Sequence, residues 1–125
     1  QYLLAVDRNN GNVAGLYDDL HPAVLHALVQ VVEAAAPEGR EVSICGEMAG
    51  SALAAPLLLG MGVSSLSMSS GGLLPVKAVV RSFTLAEAKE LLQRALDCEA
   101  AAAVRRLLEI ALEEKGLGGL VRPGK

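Results

Sequence analysis

Apolar residues recur at helical spacing in three stretches of the chain, and each stretch predicts an amphipathic helix. The first begins near Pro22, a residue that suits the first position of a helix, and ends before Pro37. The second begins at Thr84, which forms the pattern of a capping box with Glu87. The third covers roughly residues 99–115 and ends at a glycine.

Two short runs have the alternation of apolar and polar residues that is typical of β-strands. They are residues 41–45 and residues 63–68. The stretch 51–60 between them predicts a helix, which we expect to be short or kinked because it contains Pro56. Strand, helix and strand in this order predict one βαβ unit and an α/β fold.

Glycines mark the connections between these elements. Residues 46–50 form a glycine-bounded loop, Gly71 and Gly72 precede a helix predicted at about residues 75–82, and residues 118–124 predict a flexible tail. The 125 residues are too few for a closed (β/α)₈ barrel of about 250 residues. We therefore expect residues 1–125 to form a single domain with an uncovered sheet edge, which favours a homo-oligomer.

Composition narrows the class of protein. Hydrophobic residues make up 52% of the chain and aromatic residues 2%, so the core must be aliphatic. A net charge of −3 without a basic cluster argues against a nucleic-acid partner. The longest apolar stretch, residues 53–61, is about half of a membrane span, so we expect no membrane segment. Cys45 and Cys98 lack metal-binding spacing, and we expect a reducing, cytoplasmic location.

Cys45 is the first candidate for chemistry because it ends a predicted strand. In α/β proteins the carboxyl ends of the strands face the ligand site. A thiol at that edge can transfer a proton, since neighbouring charges can tune its pKa. The alternative is that Cys45 is a small buried hydrophobic residue, and spacing alone favours that interpretation.

Arg8 is the second candidate. A guanidinium matches carboxylate and phosphate oxygens with two parallel hydrogen bonds, so Arg8 could hold an anionic substrate. A surface ion pair with Asp7 is the plainer interpretation. Glu47 could cap a helix or hold a metal, and His21 is more typical of a residue at the start of a helix than of a catalyst. These alternatives remain open on the residues alone.

Three segments resemble the phosphoenolpyruvate–protein phosphotransferases of the Enzyme I type. Residues 1–8 (QYLLAVDR) resemble the segment after the sixth barrel strand of that family. Residues 45–50 (CGEMAG) resemble its active-site cysteine motif, and residues 58–62 (LLGMG), followed by residues 66–69 (LSMS), resemble its eighth-strand motif. The stretch 7–22 and the tail 116–122 are similar to the nitrogen-related branch of the family.

The resemblance implies that the chain is the carboxy-terminal part of a phosphoenolpyruvate (PEP)-utilising TIM barrel, comprising the last two βα units and further helices. It implies transfer of the phosphoryl group of PEP to an enzyme histidine and on to the phosphocarrier protein of the nitrogen-related system, releasing pyruvate. Cys45 would be the proton donor and Arg8 one PEP-binding arginine. Mg²⁺ would be the cofactor, with its ligands outside this chain, and none of the residues here would be a metal ligand.

Two other functions are compatible with the sequence. The chain could be a non-catalytic dimerisation module of such an enzyme, or part of a relative of PEP synthase and pyruvate phosphate dikinase, which share the cysteine loop. The absence of an initiator Met and the apolar start lead us to expect a cut inside a larger protein. We therefore expect the chain to be inactive alone.

Overall fold

The computed structural model describes residues 1–121, a helix-rich fold with a small parallel sheet. In chain order its elements are α1 (Pro22–Ala35), β1 (Ser43–Cys45), α2 (Ala55–Met61), β2 (Ser65–Ser67), α3 (Ser70–Ser82), α4 (Leu85–Leu96) and α5 (Ala101–Glu114). Short 3₁₀ turns occur at Ala14–Leu16, Ala36–Glu38, Met48–Gly50 and Gly118–Leu120. The predicted α/β class is confirmed, and the two strands found in these residues do not close a barrel.

The two strands are parallel and are joined through α2, which confirms the predicted βαβ unit. Ile44 pairs with Leu66, and Cys45 pairs with Ser67. Because side chains alternate along a strand, the two faces of the sheet differ. Ile44 and Leu66 pack against the core, whereas Cys45 and Ser67 are exposed.

Helix α2 lies at the centre of the core, and six of its seven residues are buried. Its main neighbour is α4. The approach is close because residue 60 is a glycine: a Cβ there would lie 2.4 Å from the carbonyl oxygen of Ala88. The core is aliphatic as predicted, and its largest fully buried side chains include Leu20, Leu25, Leu57, Leu58, Leu108 and Leu112.

The predicted helix starts at residues 22 and 84 are confirmed, and each is held by a side chain. The N–H of Ala23 donates a hydrogen bond to Nδ1 of His21, 3.1 Å away. The N–H of Glu87 donates to Oγ1 of Thr84, and the N–H of Thr84 donates to Oε2 of Glu87. These bonds satisfy N–H groups at the start of each helix, which have no carbonyl partner within the helix.

The predicted starts of α2 and α3 were wrong, and proline explains both errors. Pro56 is the second residue of α2, so it begins the helix and does not kink it, and with seven residues the helix is short, as one of the two expected outcomes. Helix α3 starts at Ser70, with Gly71 and Gly72 in its first turn and Pro75 inside it. Pro75 lacks the N–H that would bond the carbonyl of Gly71, but Gly71 is exposed and water can replace that bond.

The carboxy-terminal segment is ordered where a flexible tail was predicted. Its 3₁₀ turn Gly118–Leu120 follows a hydrogen bond from the N–H of Leu117 to the carbonyl of Leu112, 2.8 Å long. Leu117 and Val121 pack against the core, and this apolar contact holds the segment in place. The part of the predicted tail beyond residue 121 lies outside the described residues.

Candidate functional site

A cavity of about 740 Å³ opens at the carboxyl ends of β1 and β2. Its wall is formed by the loop that follows Cys45, by Ser67 and the residues after it, by the first turn of α3, and by Leu120 from the carboxy-terminal turn. The carboxyl edge of a parallel sheet is where α/β proteins bind their ligands. This cavity is therefore the candidate functional site.

Cys45 is the last residue of β1 and lines the cavity. The thiol is free and exposed, so Cys45 is not the buried core residue that spacing alone favoured. Its partner in the strand register, Ser67, lies in the same wall. The structure therefore places Cys45 at the strand end that the sequence predicted, while its catalytic role stays a prediction.

Two features fix the conformation of the loop after Cys45: a left-handed glycine and a buried turn. Gly46 has φ = 97°, a left-handed conformation that glycine adopts without a steric penalty. The 3₁₀ turn Met48–Gly50 follows, and the side chains of Met48 and Ala49 are buried. This anchored turn was predicted only as a loop. It fixes the backbone close to Cys45.

The loop carries one carboxylate, Glu47, and the charge of Glu47 acts on Asp19. Glu47 lies in the cavity wall and is exposed. Burial raises the pKa of Asp19 above its ordinary value; the charges of Asp18 and Glu47 raise it further, and Arg105 opposes the shift. Arg105 also forms an ion pair with Asp18, with 3.2 Å between nitrogen and oxygen.

The cavity wall, within the part of the chain that the structure describes, contains neither arginine nor lysine. Arg8 lies in the amino-terminal loop, where its backbone N–H donates a hydrogen bond to Oε1 of Gln1. Its side chain is exposed and is not part of the wall around Cys45. The structure thus does not bring the two predicted site residues together in one cavity.

The two histidines have structural contacts. His21 caps α1, as predicted, and Nε2 of His26 lies 3.2 Å from the carbonyl oxygen of Leu96. Within residues 1–121, His, Cys, Asp and Glu side chains form no group of three or more that could hold a metal ion. None of the helices in this range is long and apolar enough to cross a membrane.

Sequence reasoning did not select Ser67, Ser69 or Leu120, which also line the cavity. Ser67 could have been found, because it ends the second strand as Cys45 ends the first. Leu120 belongs to the segment that was predicted to be flexible because of its glycines. Nothing local in the sequence indicates that this segment folds back to the sheet edge.

Comparisons with known proteins show which family this chain is similar to. The family described as PEP-utilising enzyme, PEP-binding domain, matches residues 1–85. The chain is 43% identical over 124 residues to "Phosphoenolpyruvate-dependent phosphotransferase system" of Escherichia coli strain K12, covering 99% of this chain and 17% of the relative. It is 42% identical over 109 residues to "Phosphoenolpyruvate-protein phosphotransferase" of Staphylococcus carnosus, covering 87% of this chain and 19% of the relative.

A third relative, "Phosphoenolpyruvate-protein phosphotransferase" of Haemophilus influenzae, is 41% identical over 117 residues, covering 94% of this chain and 20% of the relative. The chain therefore spans about a fifth or less of the length of these curated relatives. The matched residues include Cys45, its loop, both strands and α3. The chain belongs to the family of PEP-utilising enzymes, through their PEP-binding domain.

Proposed function

We propose that this chain is the carboxy-terminal part of a PEP–protein phosphotransferase of the nitrogen-related branch, and that residues 1–125 act as one domain of it. The observation that carries the proposal is the exposed Cys45 thiol in a cavity at the carboxyl edge of the parallel strands. The relatives at about 40% identity are named as PEP-dependent phosphotransferases. None of these three relatives is named as a PEP synthase or a pyruvate phosphate dikinase, and we therefore propose the phosphotransferase.

Cys45 supplies a proton in the proposed reaction. Transfer of the phosphoryl group of PEP to a histidine elsewhere in the protein breaks the P–O bond and leaves the enolate of pyruvate. The Cys45 S–H bond breaks, its proton forms a C–H bond at the methylene carbon, and pyruvate results. The remaining thiolate regains a proton from solvent before the next turnover.

Arg8 binds the phosphate or carboxylate of PEP in this proposal, because a guanidinium pairs with such groups through two hydrogen bonds. In the described residues its side chain is exposed and available for a ligand. Mg²⁺, which the resemblance implies, would neutralise charge on PEP. On the basis of the resemblance we propose that its ligands lie outside this chain, and we assign no step to it.

The proposal includes inactivity of the isolated chain, and electrostatics supports this. A trianionic substrate needs fixed cations around it. The described wall of the cavity contains Glu47 but no arginine or lysine. Apart from Arg8, the cations that hold PEP would come from the rest of the barrel, together with the histidine that receives the phosphoryl group.

The partners follow from the same proposal. They are PEP and pyruvate, and the phosphocarrier protein of the nitrogen-related system. The branch assignment rests on the tail 116–122 and on the stretch 7–22, both of which lie within or next to residues matched by the Escherichia coli relative. A phosphotransferase of this kind would work in the cytoplasm.

Isothermal titration of the chain with PEP and Mg²⁺ tests the inactivity directly. Inorganic phosphate serves as the control anion, and light scattering measures the mass of the species in the cell. We expect no heat of binding above that of phosphate. Mg²⁺-dependent binding of PEP to the chain would contradict the part of the proposal that places the cations elsewhere.

A second candidate function is self-association, and one surface favours it. The outer face of α5 forms an apolar groove of about 500 Å³, lined by Ala100, Ala102, Ala103, Arg106, Leu107 and Ile110. Ile110 is 50% exposed. Each strand of the two-stranded sheet also has an unpaired edge in the described residues. A concentration-dependent dimer that Ile110→Glu dissociates and Leu16→Glu does not would support this function.

A further inference from the structure

We propose that Gly72 is a positioning residue for Cys45. Its backbone, in the first turn of α3, lies so close to Gly50, at the end of the loop that follows the cysteine, that an added Cβ would crowd the Gly50 main chain. This close approach sets where the loop lies, and through the loop it sets the position of the thiol in the cavity. The inference rests on the proposed role of Cys45 and adds a residue that acts on it from another element.

A side chain at residue 72 would meet the backbone of Gly50. A Cβ added at Gly72 would lie 3.0 Å from the carbonyl oxygen of Gly50, 3.1 Å from its Cα and 3.5 Å from its carbonyl carbon. Carbon atoms pack at about 3.5–4.0 Å, so the separation of 3.1 Å from the Cα is tight, and the Gly50 backbone would have to move by a few tenths of an ångström to accept the added carbon. No side-chain rotation can relieve this crowding, because all three atoms belong to the main chain.

The loop transmits a displacement of Gly50 towards Cys45. The N–H of Gly50 donates to the carbonyl of Glu47 over 3.1 Å, so the residues between them form one compact turn. The buried side chains of Met48 and Ala49 hold this turn against the core. Cys45 is separated from Glu47 only by a glycine. A shift of the turn therefore moves the backbone next to the thiol.

Gly71 provides a matched control. It is the neighbour of Gly72 in the same turn of α3, and a Cβ there would meet no atom within 4 Å. Alanine has a higher helix propensity than glycine by up to about 1 kcal/mol, and this gain applies equally to Gly71→Ala and Gly72→Ala. The two variants therefore differ in the contact with Gly50 and not in their effect on the helix.

The test is the alkylation of the two free cysteines by iodoacetamide, followed by mass spectrometry of the peptides. Cys98, just after the end of α4, serves as the internal reference. Its Sγ donates a hydrogen bond to the carbonyl of Arg94, and the residue does not line the cavity. We expect Gly72→Ala to change the ratio of the Cys45 rate to the Cys98 rate by about threefold or more. Gly71→Ala adds a methyl group to the same cavity wall without approaching Gly50, so it controls for the added bulk and should leave the ratio at the wild-type value.

Thermal unfolding of the same samples separates positioning from a structural role. A changed ratio in Gly72→Ala with a Tm near that of Gly71→Ala supports positioning. An unchanged ratio, or loss of the cooperative transition in Gly72→Ala, overturns it. The readout contains no PEP, so failure of the proposed function in a PEP-binding experiment can be distinguished from failure of this inference.

Discussion

Cys45 and Ser67 are partners in the register of two parallel strands, and both are exposed at the carboxyl edge of the sheet. Directly behind this edge, Ile44 and Leu66 pack against the core. Each strand is three residues long, and successive side chains of a strand point to opposite faces of the sheet. The Cys45–Ser67 pair therefore lies on the face opposite to the Ile44–Leu66 pair. The candidate site therefore depends on the same βαβ packing that builds the core, and the predictions below address both.

Gly60 determines how closely α2 and α4 approach each other. We expect Gly60→Ala to destabilise the chain by about 1–3 kcal/mol, because its Cβ would lie 2.4 Å from the carbonyl oxygen of Ala88 and the helices must separate. Urea unfolding gives the free energy. Gly71→Ala, which adds a methyl group where no atom lies within 4 Å, is the control. Equal stabilities of the two variants would contradict the packing described for α2.

Leu108 tests the aliphatic core. It is fully buried in α5, and we expect Leu108→Ala to lower the free energy of unfolding by about 2–5 kcal/mol through lost burial and an unfilled cavity. Leu74 is 75% exposed, so Leu74→Ala should change stability by less than about 0.5 kcal/mol. Chemical denaturation of both variants under the same conditions makes the comparison. A similar cost at both positions would mean that α5 is not packed as described.

Glu87 links the start of α4 to the end of α5. Its hydrogen bond with Lys115, 2.6 Å long, and its bonds with Thr84 lower its pKa from 4.5 to about 2. A carboxyl group whose pKa is lower in the folded state stabilises the fold above its unfolded pKa. This contribution should be complete above about pH 4.5 and disappear as the pH falls towards 2.

Glu87→Gln should therefore lower Tm at neutral pH, and the difference from wild type should shrink between about pH 4.5 and pH 2. Glu90→Gln, which removes an exposed carboxylate one turn along the same helix, is the control. Calorimetry across this pH range gives the Tm values. A difference that stays constant down to pH 2 would show that the carboxylate charge is not the source of the stabilisation.

Arg8 is the proposed anion-binding residue, and its test requires the longer phosphotransferase. Loss of a hydrogen-bonded charge pair costs about 1.5–3 kcal/mol, so we expect Arg8→Ala to raise the KM for PEP by roughly tenfold to a hundredfold. Arg81→Ala removes an exposed arginine from α3 and should leave the KM unchanged. Steady-state kinetics with PEP as the varied substrate gives the KM and kcat of both variants. An unchanged KM and kcat in Arg8→Ala would remove this residue from the site.

Local signals in the sequence were sufficient for most elements and for one site residue. Thr84 and Glu87 predicted a capped helix because the bonds of a capping box involve residues only three positions apart. Cys45 was placed at a strand end because alternation and the following glycine mark where β1 stops. Both inferences depend on neighbours in the chain, and the structure confirms both placements.

The features that sequence reasoning missed depend on distant contacts. Pro75 lies inside α3 because solvent can replace the bond that it removes, and this depends on the exposure of Gly71. The segment around Leu117 and Val121 is ordered by apolar contacts with the core. The approach of Gly72 to Gly50 joins residues 22 positions apart. Helical periodicity and turn propensity contain no information on such contacts.

The central claim is that Cys45 donates the proton that turns the enolate into pyruvate. The most direct measurement is the rate of pyruvate release from PEP by the longer phosphotransferase with Cys45→Ala, with Cys98→Ala as the matched control. We expect Cys45→Ala to lower kcat by about 10²–10⁴-fold, the usual contribution of a general acid, while PEP binding is largely retained. Cys98→Ala should turn over at the wild-type rate. Normal pyruvate release by Cys45→Ala would contradict the claim.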